Sequence, residues 1–91
     1  MAGDLALLHE GIADLLVEQG NLPEALNSYR ASLAIVDRLA ETDPRNAGWL
    51  SDLATRYSRV VEAHHRERQR ALGRFRRVRE ILARFKARIW R

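Results

Sequence analysis

The sequence predicts an all-α chain of antiparallel helical hairpins, three to four helices with a long one at the C-terminus. Apolar residues recur at alternating spacings of three and four through most of the chain, the period of an amphipathic helix. The strongest breakers, Gly20 with Asn21 and then Asp43-Pro44, stand at the two ends of one helix-length segment. The second half also repeats the first. Asp4-Leu5-Ala6 returns as Asp52-Leu53-Ala54 at an offset of 48, and Tyr29-Arg30 returns as Phe75-Arg76 at an offset of 46.

The first helix is expected over residues 4–19, with Leu5, Leu8, Ile12, Leu15 and Leu16 on its apolar face. Gly20 reaches the left-handed conformation that ends a helix without Cβ strain. Asn21 and Glu24 then form a capping box. The Asn21 side chain accepts from a first-turn N–H, and Glu24 is expected to reach back to the Asn21 N–H. Pro23 sits in the first turn, where its missing N–H costs little. The second helix, over residues 22–41, has the stripe Leu22, Leu26, Tyr29, Leu33, Val36 and Ala40. Asp43-Pro44 stops it, because a residue before proline is pushed out of the α region. So short a connection at residues 20–22 makes the two helices antiparallel neighbours.

Asn46 is the expected N-cap of the third helix, whose apolar positions are Trp49 or Leu50, Leu53, Tyr57, Val60, Val61 and then His64. The repeat offset falls by two between the helices of the second unit, so two residues are lost from its turn. Arg66-Glu67-Arg68-Gln69-Arg70 stands there with no breaker and good helix formers throughout. The third and fourth helices are therefore expected to merge into one rod over about residues 47–90, longer than ~60 Å. Gly73 alone costs only about 1 kcal/mol and does not force a break. A bend at residues 65–70 would give a compact four-helix pair instead. A rod leaves the apolar stripe of its C-terminal half to a second chain, an arm-exchanged dimer.

The residues Ala13, Leu16, Gly20, Ala25, Tyr29 and Asp43-Pro44 match, in order, the small, large, turn-glycine, small, aromatic and proline positions of a known unit. In these the chain resembles the tetratricopeptide repeat family, in a long bacterial-type form whose next unit opens on an NAGW-type segment, here Asn46-Ala47-Gly48-Trp49. Residues 4–44 form the clear repeat and 46–91 a degenerate second. His9 and Ile12 depart from the family's early aromatic and leucine, and Pro44 arrives late for a unit of about 34 residues. The resemblance covers residues 5–57. It implies a non-catalytic protein–protein interaction or self-assembly module, with a concave partner-binding face of Leu7, Glu10, Asp14 and Val17 from the first helix. The third helix would add Ser51, Asp52, Thr55 and Arg59. The lysine and asparagine clamp that some relatives use for terminal carboxylates is absent, so a basic or apolar partner suits the acidic face better. The chain starts near a repeat boundary, as part of a longer array would.

Ninety-one residues, 46% hydrophobic and 31% charged, make one small folded domain over residues 1–91. The absence of cysteine excludes a disulfide framework and thiolate metal sites and suits a cytoplasmic location. The opening MAGDLALLHE carries acid where a signal peptide needs base, and no apolar run has membrane-spanning length. Charge is divided sharply. Residues 1–55 hold three basic and nine acidic side chains, and residues 56–91 hold thirteen and three. The simplest partner for the basic half is the acidic half, of this chain or of another copy.

The C-terminal segment is the basic element. Ala71 or Leu72, Phe75, Val78, Leu82, Phe85 and Ile89 form its candidate self-association stripe, which points to a homodimer. Arg74, Arg77, Arg84 and Arg88, among other arginines, cover the remaining circumference and are candidate anion-binding residues. The alternative function is a basic amphipathic helix for nucleic acid or an anionic membrane. Against nucleic acid, the aromatics lie on the apolar stripe and no reading motif is present. Glu62 and His65 make a single Glu-x-x-His pair, where a di-iron bundle needs two and further glutamates, such as Glu10 or Glu18. Asp14, Glu18 and Asp52 lie on polar helix faces with no pocket to raise a carboxyl pKa. The serines lack a base at nucleophile spacing, and the five glycines never cluster into a phosphate loop. No enzyme activity, metal or cofactor is expected.

Overall fold

The computed structural model describes the backbone of residues 2–89 and the side chains of residues 2–86. It is all-helical, with no strand among the described residues. Helix α1 spans Ala2–Glu18, α2 spans Leu22–Thr42, a 3₁₀ turn covers Pro44–Asn46, and α3 spans Ala47–Ile89.

Gly20 ends α1 with a φ of 78°. Its N–H donates to the Val17 carbonyl at 3.0 Å, and the Asn21 N–H donates to the Leu16 carbonyl at 2.9 Å. This is the double bond of a Schellman ending, which satisfies two of the carbonyls a helix terminus leaves open. It also corrects half of the expected capping box. The Asn21 side chain does accept from the Glu24 N–H, at 3.5 Å, but its own N–H is taken by α1 and is not left for the Glu24 carboxylate. At the other end of α2, Asp43 is extended, at φ −138° and ψ 103°, and its N–H closes on the Leu39 carbonyl. The Asp43 carboxylate accepts from the Arg45 backbone N–H at 3.1 Å and from the Arg45 guanidinium at 2.8–3.1 Å. The side-chain bonds from Arg45 hold its pKa below the usual carboxylate value. Asn46, expected to cap α3, instead turns its amide back to donate to the Leu39 carbonyl at 3.4 Å. That carbonyl already accepts the Asp43 N–H at 2.8 Å and the Thr42 hydroxyl at 3.1 Å, so Asn46 adds to the closure of α2, whereas α3 follows the 3₁₀ turn without a gap.

The core belongs mainly to α2, which packs against both α1 and α3. Leu22, Ala25, Leu26, Tyr29, Ser32 and Val36 are buried on it, against Leu53 and Val60 of α3. The expected α2 stripe is the face found, with Ala25 and Ser32 as a second buried line beside it. Helix α1 behaves otherwise. Its buried residues are Ala6 and Ala13, with Leu16 and Val17 packed partly against the core. Leu5, Leu8, Ile12 and Leu15, expected to face inward, are 40–59% exposed. The reason is steric. Two alanines seven residues apart let α2 approach closely enough for the Ser32 hydroxyl, fully buried, to donate to the Ala6 carbonyl at 2.8 Å. A leucine in that line would hold the helices apart.

Helix α3 runs unbroken through residues 66–70 and through Gly73, for 43 residues. The two conceivable last helices are therefore one. Its first half packs on α2 through Leu53 and Val60, with Trp49, Leu50, Tyr57 and Ala63 partly buried alongside. From His65 to Lys86 every residue is exposed. This half stands off the body as an arm, and the molecule measures 72 × 18 × 16 Å. No helix among the described residues is long and apolar enough to cross a membrane.

Candidate interaction surfaces

Three surfaces hold the residues singled out from the sequence. The first lies where α1 meets α3. Glu10 accepts from the Trp49 indole N–H at 3.0 Å and from the Arg56 guanidinium. Its side chain is only 13% exposed. Asp14, one turn further along α1, accepts the hydroxyl of buried Tyr29 and lies 3.7 Å from Arg56. Burial, and then the bond to Asp14, push the Tyr29 phenol well above its ordinary pKa. The two carboxylates are thus engaged in joining the three helices. Among the other concave-face candidates, Val17 is half-buried against the core, and Leu7, Ser51, Asp52, Thr55 and Arg59 are exposed. Thr55 donates its hydroxyl to the Ser51 carbonyl at 3.0 Å, a local helix contact. The exposed part of this face is Leu7 and half of Asp14 on α1 and a polar strip on α3.

Nothing local in the sequence marks Arg56, Trp49 and Tyr29 as members of one polar cluster. The signal was present in part: Glu10 and Asp14 are one turn apart on a helix that has no lysine or arginine. Their partners lie 39 and 46 residues away from Glu10, and only the packed fold brings them in. A second contact sits nearby, where Arg30 donates to the Tyr57 hydroxyl at 3.0 Å with its guanidinium 6.0 Å from the ring centre.

The second surface is the outer face of α1, the exposed line of Leu5, Leu8, Ile12 and Leu15. The third is the arm. Leu72, Phe75, Val78, Leu82 and Phe85 are each more than half exposed along one side of it. Arg74, Arg77 and Arg84 are exposed around the rest. The side chains of Arg88 and Ile89 lie outside the described residues.

Glu62 and His65 are exposed and His64 is half-buried. Among the described residues no three His, Asp or Glu side chains converge as they would around a metal ion. Surface hollows on α3, such as the one edged by Leu72, Phe75, Arg76 and Arg79, are open grooves on a single helix. Comparison with protein-family models, with curated proteins and with solved structures returned no match.

Proposed function

We propose that the chain is a non-catalytic helical interaction module of the tetratricopeptide type, and that copies of it associate through the C-terminal arm. One observation carries this reading: residues 65–86 are exposed throughout yet hold Leu72, Phe75, Val78, Leu82 and Phe85 on one side. An exposed apolar line of that length on a soluble helix marks a binding surface. The hairpin of α1 and α2, with its glycine turn and its small, aromatic and proline positions, supports the repeat-type assignment. Two units fall short of the three or so that repeat arrays need, and association supplies the missing neighbour. A chain without cysteine suits a reducing cytoplasm, which forms part of the proposal.

Sedimentation equilibrium or light scattering from micromolar to millimolar concentration tests it. Association to a dimer or larger species is the expected result, and a monomer across the whole range rejects the reading. The exposed Arg74, Arg77 and Arg84 favour one alternative, an arm that binds nucleic acid or an anionic membrane. That alternative requires association that falls steeply with salt.

A further inference from the structure

Two apolar lines are left open on this molecule, and they match. On α1, Leu5, Leu8, Ile12 and Leu15 follow one another at spacings of three, four and three, all exposed. On the arm, Phe75, Val78, Leu82 and Phe85 follow the same three, four, three order, also exposed. Each line extends about 15 Å along its helix. This is the seam spacing by which two helices interlock side chains.

Charge decides which line meets which. The positions flanking the seam on the arm hold Arg74, Arg79 and Lys86, and no acid flanks it. Two arms laid together would set these cations against one another, an arrangement that disfavours pairing. Helix α1 carries Asp4, Glu10, Asp14 and Glu18 and no lysine or arginine, and Asp4 and Glu18 flank its seam. Two α1 faces together would repel in the opposite sense. The mixed pair alone puts bases beside acids. An arm cannot reach its own α1, because α3 continues straight away from the body for its whole second half.

We infer that the Leu5, Leu8, Ile12 and Leu15 face of α1 is the docking surface for the arm of a second copy of this chain, seated through Phe75, Val78, Leu82 and Phe85. The inference rests on the self-assembly reading above and names its receptor. It also explains why α1 turns small residues inward and leucines outward: one face serves the hairpin and the other serves the neighbour.

Two variants at exposed positions test it, Ile12→Asp in the receptor face and Leu82→Asp in the arm. Each alone weakens self-association measured by sedimentation equilibrium about tenfold or more, since an aspartate must enter an apolar seam. Mixed together they associate, because the first keeps an intact arm and the second an intact α1. Should Ile12→Asp lose its helical circular dichroism, Leu8→Gln, at a more exposed site, takes its place with the same expected result. Association of Ile12→Asp and Leu8→Gln at wild-type strength overturns the docking surface while leaving arm-mediated assembly standing. A mixture that stays monomeric also overturns it. A wild-type chain that is monomeric at every concentration and binds only vesicles containing phosphatidylglycerol overturns both readings.

Discussion

Single side chains tie the three helices together in this protein, and Tyr29 is the most informative of them. Its ring is buried on α2 and its hydroxyl donates to Asp14 on α1. Tyr29→Phe keeps the ring and removes the bond. Asp14 remains half in water, so no polar group is stranded, and the cost at neutral pH is about 1 kcal/mol. That lowers the melting temperature by about 4–8 °C in a domain of this size. The bond also depends on pH in a definite direction. The folded phenol is held above its unfolded value of about 10, so its contribution is complete below pH ~10 and disappears as pH rises beyond it. Urea midpoints of wild type and Tyr29→Phe should therefore differ at pH 7 and converge above pH ~10. A gap that persists unchanged into alkali contradicts the assignment. Ser32 makes a simpler prediction. Its fully buried hydroxyl reaches the Ala6 carbonyl, and Ser32→Ala should lose about 1 kcal/mol by urea denaturation. Ser32→Leu should lose more, by forcing α1 and α2 apart.

At the scale of elements, what could be read in the sequence was local, and what could not was a matter of neighbours. Gly20, Asn21 and Asp43-Pro44 act on the backbone within a few residues, so the ends of α2 are legible from them alone. The stripe of α2 is legible too, because α2 lies between α1 and α3 and buries its apolar side whichever neighbour is considered. Leu5, Leu8, Ile12 and Leu15 of α1 carry an equally clear pattern and are expected in the core, yet they point out, and only Leu16 of that expected face packs partly inward. A periodic apolar line states that a face wants cover, and it does not state which body provides it. The pair Ala6 and Ala13 held the missing information, since small residues seven apart mark close helix contact. Glu10, Trp49 and Arg56 could not be joined from sequence, because nothing local links residues so far apart in the chain. The unbroken α3 follows from the absence of any breaker at residues 66–70. Its autonomy gives a test. Gln69→Pro removes a helix bond in a segment that touches no other element, at about 3 kcal/mol. Helical circular dichroism and association should fall, while the core transition, followed by Trp49 fluorescence in a Trp90→Phe background in dilute solution, stays where it was. A large fall in that transition would mean that the arm packs on its own body.

The whole molecule is long for its mass, and this is the property on which the functional reading turns. Ninety-one residues folded into a compact domain have a radius of gyration of about 12 Å. This chain has one of 20.3 Å, because more than half of α3, from residue 65 onward, extends beyond the hairpin. Small-angle scattering of the Leu82→Asp variant, at a concentration where sedimentation finds it monomeric, separates the two shapes directly. An extended α3 gives a value near 20 Å and a distance distribution that tails toward 72 Å. An arm folded back on α1 of its own chain gives a value near 12 Å. In that compact form the α1 leucines would be covered within one copy, and no surface would remain to ask for a second. The extended form leaves both seams open at opposite ends of one molecule, α1 at the body and the apolar line on the arm. If a second copy covers these seams, as proposed, the stability of the chain should rise with its own concentration, as mass action requires. A melting temperature independent of concentration across the association range would separate the arm from the fold.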